Sequence, residues 1–327
     1  MRFADDVQLE SVAVTRMRAE AQLRRCMSLA IASFVFAGFA FSQEAGPLKT
    51  LVRPGATRAR PSTRMDVNMV LVPVSVVDQS DRPVTDLRAD SFRVFEDEVE
   101  QRVLSLHREE GPVSVGLIVD ASASMKKRIE TSAKAMEQFF KTTMPGDEFF
   151  LVRFNDRPEV LSGFTADGGA ILSEMSAIRP EGWTSLNDAI CLGVHQMKAA
   201  KNSRRALLVL TDGGDNNSRY SESEVRSLVR EADVRVYSIG LFDRPRFLER
   251  LGEDTGGRAF LVRHMDALPD TVDRLTEALR NQYVLGYSTR NMHNDGKYRK
   301  VRVELSETIG HLSLHAFWRR GYFAPSD

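Results

Sequence analysis

The chain has 327 residues, enough for one large domain and a smaller region at roughly 150 residues per domain. Hydrophobic residues make up 42% of the sequence and charged residues 28%, as in an ordinary soluble globular protein. The 45 Lys and Arg residues balance the 45 Asp and Glu residues. A neutral chain without a polybasic run gives no electrostatic basis for binding nucleic acid, so we expect no nucleic-acid partner.

The first 42 residues have the organisation of a secretory signal peptide. Arginines between positions 16 and 25 precede the apolar stretch 27–41, and small residues follow it. An apolar stretch of about 15 residues is short for a transmembrane helix, which needs about 20. We therefore expect export to the periplasm, cell surface or medium. An uncleaved N-terminal anchor and a translation start at Met17 are the alternatives left open.

The segment after the predicted signal peptide reads as a linker, and the mature chain would contain a single cysteine. Residues 43–65 contain three prolines and no periodicity, which predicts a flexible linker. Cys26 lies within the signal peptide, so Cys191 would be alone in the mature chain and could form no internal disulfide. Cys191 lies in an apolar helical pattern, which predicts a buried and unreactive thiol.

Residues 66–110 form a β-rich segment. The run 67–77 is rich in Val and contains Pro73, which predicts an edge strand or a bulge because proline cannot donate to a β-ladder. Residues 92–96 alternate with period two, as a half-buried strand does. A segment of this size cannot bury a core alone, so it needs a packing partner.

Residues 111–280 alternate apolar strands with helices. Continuous apolar strands of this kind predict a doubly wound, mostly parallel α/β sheet that is covered on both faces. A capping box at Ser221 and Glu224 marks the start of one helix. The predicted strands are 113–119, 148–154, 206–210 and 234–239, and the predicted helices are 124–144, 186–200, 221–232 and 266–281.

Residues 281–324 return to a β pattern, with strands predicted at 283–287, 298–305 and 311–317. The sequence Asn294-Asp295-Gly296 predicts a hairpin turn between the first two. We expect this segment to pack on residues 66–110. The two would form a β-sandwich-like region interrupted by the α/β domain.

Five oxygen-bearing side chains lie near the ends of predicted strands. Asp120, Ser122 and Ser124 follow the strand 113–119, and Asp212 follows the strand 206–210. Thr184 lies between them, ahead of a helix. Ligand sites of open α/β sheets form outside the carboxyl ends of the strands. We therefore expect these five side chains to converge.

Two carboxylates and three hydroxyls are ligands suited to a hard divalent cation, whereas zinc and softer metals prefer His or Cys. Octahedral Mg2+ takes six oxygens, and neutral hydroxyl ligands would leave much of its charge uncancelled. A carboxylate from a partner would then be a strong outside ligand. The set predicts an Mg2+ site, with Mn2+ or Ca2+ as alternatives, that binds an anionic group.

The pattern Asp120-x-Ser122-x-Ser124, followed by Thr184 and by Asp212, resembles the metal-ion-dependent adhesion site (MIDAS) of von Willebrand factor A (VWA) domains. The resemblance covers about residues 111–280 and implies a VWA fold that binds an Asp or Glu of a protein partner through the metal. The flanking β segments look like those of a VWA-related group of exported proteins from acidobacteria. The resemblance thus implies a binding protein for adhesion or assembly and no catalytic residues.

Ordinary structural roles could also account for the same residues. Asp120, Ser122, Ser124 or Thr184 could cap the helices that follow them, and Asp212 could be a turn residue. We interpret Asp188, Asp215 and Asn216 as structural or solvated residues. A Mg2+-dependent hydrolase with Asp120 as nucleophile and a metal-free structural envelope protein are the competing functions.

His311 and His315 have the spacing of a helical zinc motif, but they lie in a predicted strand. There they would be about 13 Å apart, too far to share one metal.

Overall fold

The computed structural model describes residues 69–243, 245–306 and 313–326. The predicted signal peptide, the predicted linker and His311 lie outside the described residues. No helix within the described ranges is long and apolar enough to span a membrane.

The described chain contains three groups of strands and six α-helices. The strands are β1 (Met69–Val77), β2 (Phe92–Glu96), β3 (Val99–Gln101), β4 (Val103–Arg108), β5 (Val113–Asp120), β6 (Glu148–Phe154), β7 (Pro158–Thr165), β8 (Arg204–Thr211), β9 (Arg235–Leu241), β10 (Ala259–Val262), β11 (Tyr283–Ser288), β12 (Tyr298–Leu305), β13 (His315–Trp318) and β14 (Gly321–Phe323). The helices are α1 (Ile129–Lys141), α2 (Gly168–Ala177), α3 (Leu186–Met197), α4 (Glu222–Ala232), α5 (Arg246–Thr255) and α6 (Leu268–Arg280), and 3-10 turns span Ala89–Ser91, Ala123–Lys127 and Met265–Ala267.

The central sheet has the strand order β10-β9-β8-β5-β6-β7. Neighbouring strands from β10 to β6 are parallel, and β7 is an antiparallel edge strand beside β6. The prediction of a doubly wound, mostly parallel sheet is confirmed. Because β5 and β8 are adjacent and parallel, the residues that follow both strands come out at the same edge of the sheet.

Both faces of the central sheet are covered by helices. Successive side chains of a strand point to opposite faces. Leu117 accordingly packs into the core that contains α1, α2 and α6, whereas Ile118 packs into the core that contains α3, α4 and α5. Burying a side chain of this size contributes about 2 kcal/mol. This two-sided burial explains why the strands are continuously apolar in the sequence.

The remaining strands form two four-stranded antiparallel sheets, with orders β13-β1-β11-β4 and β14-β12-β2-β3. Each sheet contains strands from both the N-terminal and the C-terminal β segments. The buried side chains of the two sheets form one apolar cluster, which includes Val74, Val94, Leu285 and Val303. The flanking β-sandwich-like region is therefore confirmed, and the chain enters the α/β unit from β4 and returns to the sandwich at β11.

The hairpin predicted at Asn294-Asp295-Gly296 is wrong. Gly296 does have a positive φ of 65°, as a turn requires, but β11 and β12 belong to different sheets. The connection between them crosses from one sheet to the other. The residues therefore form a turn without forming a hairpin. The sheet to which each strand belongs is determined by its contacts in the core, not by the turn.

Other elements differ from the predictions in detail. The helix predicted at 124–144 is divided at Arg128 into a 3-10 turn and α1. β1 is an inner strand, so the edge position predicted from Pro73 is wrong for the strand as a whole. Pro73 nevertheless lies opposite Val284 of β11 and one residue before the pairing with β13 begins at Val74. The sequence analysis also missed β3, β7, β10, β14, α2 and α5.

Candidate metal centre

Three separate segments of the chain meet at the carboxyl edge of β5 and β8. Asp120 is the last residue of β5, and Asp212 follows Thr211, the last residue of β8. The loop that carries Thr184 is joined to the β5 end by two backbone hydrogen bonds. In these, Glu181 N–H donates to the Ala121 carbonyl (2.8 Å), and Ala123 N–H donates to the Gly182 carbonyl (3.2 Å).

Asp120 is completely buried and anchored from two sides. Its Oδ1 accepts a hydrogen bond from the Ser122 N–H (2.8 Å), and its Oδ2 accepts one from the Thr211 hydroxyl (2.6 Å). Burial raises the pKa of this carboxyl, although the bonds from Thr211 and Ser122 and the charge of Arg128 oppose that rise. An ionised carboxylate at this depth is costly without a compensating cation.

Ser122 and Ser124 connect the two aspartates, through the Ser122 N–H at Asp120 and through the two hydroxyls toward Asp212. The two Oγ atoms are 3.0 Å apart, and the Ser124 hydroxyl donates to Asp212 Oδ1 (2.8 Å). Ser122 is buried, whereas Ser124 is exposed. The oxygens of Asp120, Ser122, Ser124 and Asp212 thus lie in one row, in which Ser124 is exposed and the carboxylates of Asp120 and Asp212 are nearly buried.

Thr184 lies beside this row of oxygens but is not bonded to it. Its N–H donates to Asn216 Oδ1 (2.9 Å), and its carbonyl accepts from the N–H groups of Asn216 (3.0 Å) and Asn217 (3.2 Å). Within the described part of the chain, no hydrogen bond joins the Thr184 hydroxyl to the other four side chains. Asn216 therefore holds the backbone that carries Thr184, in agreement with its interpretation as a structural residue.

The other two residues interpreted as structural also fix this loop and the helix that follows it. Asp188 Oδ1 accepts from the N–H groups of Arg219 (2.9 Å) and Tyr220 (3.0 Å). Asp215 Oδ1 accepts from the Asn187 N–H (3.2 Å) at the start of α3. Both carboxylates thereby join α3 to the chain after β8.

The alternative explanation by helix capping is not supported for two of the candidate residues. Ser122 occupies the N-cap position of the 3-10 turn, but its side chain makes no capping hydrogen bond. The N-cap of α3 is Ser185, not Thr184, and it makes no side-chain capping bond either. By contrast, the predicted capping box of α4 is present at Ser221 and Glu224.

Arg128 is a participant that the sequence analysis missed. Its guanidinium forms an ion pair with Asp212 Oδ2, and its Cζ lies 4.5 Å from the ring centre of Phe242. Phe242 follows β9 and has φ 67°, in the left-handed region where aromatic residues are rare. The sequence gives no warning of this pair, because Arg128 and Asp212 are brought together only by the tertiary fold.

The chemistry of this cluster fits a hard cation better than a soft one. No group of three or more His, Cys, Asp and Glu side chains suited to a metal occurs among the described residues. A cation here would therefore depend on hydroxyl oxygens in addition to the two carboxylates. Asp120, Ser122, Ser124 and Asp212 are the residues whose mutual hydrogen bonds already place their oxygens together.

Residues 115–214 match the family model of the von Willebrand factor type A domain. This range begins in β5 and extends past β8, so it includes all five candidate residues. The matched residues lie in the α/β unit, whose mostly parallel sheet covered by helices is consistent with the VWA fold that the resemblance implied. No curated protein sequence matches the chain.

Solved structures of similar fold include a von Willebrand factor type A protein from Catenulispora acidiphila, with 11% sequence identity, a TM-score of 0.49 and coverage of 78% of this chain and 73% of that one. BatB from Bacteroides thetaiotaomicron is 17% identical, with a TM-score of 0.43 and coverage of 51% of this chain and 98% of that one. Proximal thread matrix protein 1 of the mussel byssus, in a form with a zinc-occupied MIDAS motif, is 18% identical, with a TM-score of 0.47 and coverage of 56% and 50%.

Proposed function

We propose that the sheet-edge cluster binds a divalent cation and that the cation in turn binds a carboxylate of a protein partner. The proposed ligand set is Asp120, Ser122, Ser124, Thr184 and Asp212, acting directly or through water. The chain is then a metal-dependent binding protein for adhesion or assembly. The observation that carries this proposal is the chain of hydrogen bonds that leads from buried Asp120, through the Ser122 N–H and the hydroxyls of Ser122 and Ser124, to Asp212.

The charge balance leaves a negative charge at the cluster for a cation to compensate. Two carboxylates with low exposure contribute two negative charges, and Arg128 offsets one of them from its position beside Asp212. A buried charge is stabilised by a close opposite charge, which Asp120 lacks as a direct contact among the described residues. Mg2+ is our first candidate because oxygen ligands with neutral hydroxyls suit it, and Mn2+ or Ca2+ would use the same atoms.

The exposure of Ser124 supports an outside ligand. A cation held by this row of oxygens would be reachable from the surface at Ser124. Because three of the proposed ligands are neutral, the cation would keep enough positive charge to attract an Asp or Glu side chain. Such an interaction gives the partner a strong, charge-dependent contact.

The surroundings of the cluster support binding in preference to catalysis. Among the described residues, Arg128 is the side chain that forms an ion pair with the cluster, and a guanidinium remains protonated in proteins. It cannot act as a general base for hydrolysis. We therefore favour binding over a Mg2+-dependent hydrolase. We further propose, from residues 1–42 alone, that the protein acts outside the cytoplasm, which N-terminal sequencing of the protein isolated from the envelope and medium would test.

Calorimetric titration with MgCl2 and MnCl2 tests the metal site directly. We expect saturable binding by the unmodified chain and none by Asp120→Ala, because that variant removes the buried carboxylate of the site. Asp266→Ala, at an exposed aspartate outside the cluster, is the matched control and should bind normally. Thermal unfolding without metal verifies that both variants fold. Unchanged metal affinity in a folded Asp120→Ala protein would contradict the proposal.

A further inference from the structure

An exposed tryptophan and two exposed lysines lie close in sequence to the residues of the candidate site. Trp183 is 66% exposed, the largest exposure among the large hydrophobic side chains that the structure describes. It directly precedes Thr184. Lys126 and Lys127 follow Ser124 within two or three residues, and both are exposed. An exposed tryptophan beside a polar site is typical of residues that dominate protein interfaces.

The backbone of Trp183 is held firmly although its indole stands in solvent. Its N–H donates to Asp156 Oδ1 (2.9 Å). Gly182 on one side has a φ of 76°, and an added Cβ there would lie 2.6 Å from Asp156 Oδ2. Thr184 on the other side is fixed by Asn216. A side chain on so restrained a backbone loses little additional freedom on binding, which favours affinity.

A backbone hydrogen bond from Ala123 to Gly182 connects the turn that carries the two lysines to the loop that carries Trp183. The 3-10 turn Ala123–Lys127 rises about 2 Å per residue, and side chains three residues apart lie on the same side. Lys126 is therefore on the side of Ala123, which bonds to Gly182, and Lys127 is on the side of Ser124. Neither lysine forms an ion pair with another residue in the described parts of the chain.

We propose that Trp183, Lys126 and Lys127 form a contact surface for an acidic protein segment in which an apolar side chain adjoins the metal-binding carboxylate. The indole would pack against that apolar side chain, and the lysines would attract further acidic residues. This inference rests on the proposed function and adds the chemistry of the partner. Charge complementarity supports it, because the lysines add positive charge at the place where an anionic group is expected.

A peptide-display selection tests the inference and does not require the natural partner. Random dodecapeptides on phage would be selected on the full chain in MgCl2 and eluted with EDTA. We expect enriched peptides to combine an Asp or Glu with a neighbouring aromatic or aliphatic residue and with further acidic residues. Synthetic copies of these peptides would then be titrated against the variants described next.

Trp183→Ala should weaken binding of these peptides by about tenfold or more and leave the Kd for Mg2+ unchanged. The double variant Lys126→Gln/Lys127→Gln should reduce the salt dependence of peptide binding. Leu104→Ala, at an exposed apolar residue of the sandwich, and Lys134→Gln, at an exposed lysine of α1, are the matched controls and should bind as the unmodified chain does.

The possible outcomes separate the two proposals. Enriched acidic peptides without an apolar neighbour, or normal peptide affinity in Trp183→Ala, overturn the contact surface alone. Enriched peptides that lack carboxylates, or that EDTA does not elute, overturn the metal-dependent function itself. A selection that enriches no peptide contradicts both.

Discussion

Two regions of the molecule contain a buried carboxylate close to hydroxyl groups, and they differ in how those hydroxyls are arranged. In the sandwich, Glu96 is 2% exposed and accepts hydrogen bonds from the hydroxyls of Thr289 (2.6 Å), Tyr287 (2.7 Å) and Tyr322 (2.9 Å). At the edge of the central sheet, Asp120 is equally buried. The row of oxygens that begins there continues to the surface at Ser124.

The difference lies in how the hydroxyls are used. All three hydroxyls of the Glu96 cluster donate to the same carboxylate. Glu96 and Tyr322 belong to β2 and β14 of one sheet, whereas Tyr287 lies in β11 of the other sheet and Thr289 directly follows β11, so the cluster joins the two sheets. Such a closed cluster fastens the two sheets and offers nothing to an outside ligand. In the sheet-edge cluster, the hydroxyls of Ser122 and Ser124 bond to each other and that of Ser124 donates to Asp212, so their remaining lone pairs can face a cation.

The largest expected effect is a loss of stability when the carboxylate of the Glu96 cluster is removed. Glu96→Ala should lower the free energy of unfolding by about 3–5 kcal/mol, because it removes the acceptor of three hydroxyls, those of buried Tyr287 and Thr289 and of half-buried Tyr322, and creates a cavity. Denaturant unfolding measures this loss. Affinity for Mg2+ at the other cluster should not change in the folded variant.

The control for this variant is Glu100→Ala. Glu100 lies in β3 and forms an exposed ion pair with Arg93, so its removal should have little effect on the free energy of unfolding. If Glu96→Ala were as stable as the unmodified chain, the Glu96 cluster would not fasten the sheets. If it weakened metal binding instead, the two clusters would not be independent.

A smaller effect is expected from Arg128→Gln at the sheet-edge cluster. Arg128 neutralises Asp212 and places a positive charge where a cation would have to approach. Its removal should raise the affinity for Mg2+ by about three- to tenfold, measured by calorimetry. Arg153→Gln, which removes the ion pair with Glu159 in the neighbouring strands, is the matched control. Unchanged or weaker metal binding in Arg128→Gln would show that the ion pair does not compete with the cation.

The smallest effect should appear at alkaline pH and sharpens the contrast between the clusters. Burial and the hydrogen bond to Glu96 raise the pKa of Tyr322 from 10.0 to about 12. As pH rises, the Tyr322 hydroxyl therefore loses its proton in the unfolded chain before it does in the folded chain. Its contribution to the free energy of unfolding is fully present below pH 10 and is lost as pH rises toward 12. Tyr322→Phe should make the alkaline decline shallower, and Tyr220→Phe, at an exposed tyrosine, should not. Equal pH profiles for the two variants would contradict this assignment.

The prediction of a buried thiol at Cys191 is only partly confirmed. The residue is half-buried, and burial raises the pKa of its thiol to about 11. An inert thiol follows, as the apolar helical pattern indicated. The sequence did not reveal that one side of α3 is left partly open at this position.

The sequence by itself determined the alternation of buried strands and helices, because strands that are apolar along their whole length are stable only in a sheet whose two faces are both covered. It also determined which strand ends carry Asp120, Ser122, Ser124 and Asp212, since a polar residue directly after such a run must emerge at the sheet edge. The position of Thr184 in a loop between these strands was equally visible.

Only the tertiary structure decided which contacts these residues make. It assigned β11 and β12 to different sheets, divided the predicted helix at Arg128 and brought Arg128 to Asp212 across 84 positions of the chain. Such choices depend on packing and charge between segments that are distant in sequence. Local patterns of hydrophobicity and turn residues carry no information about those partners, so the fold had to supply it.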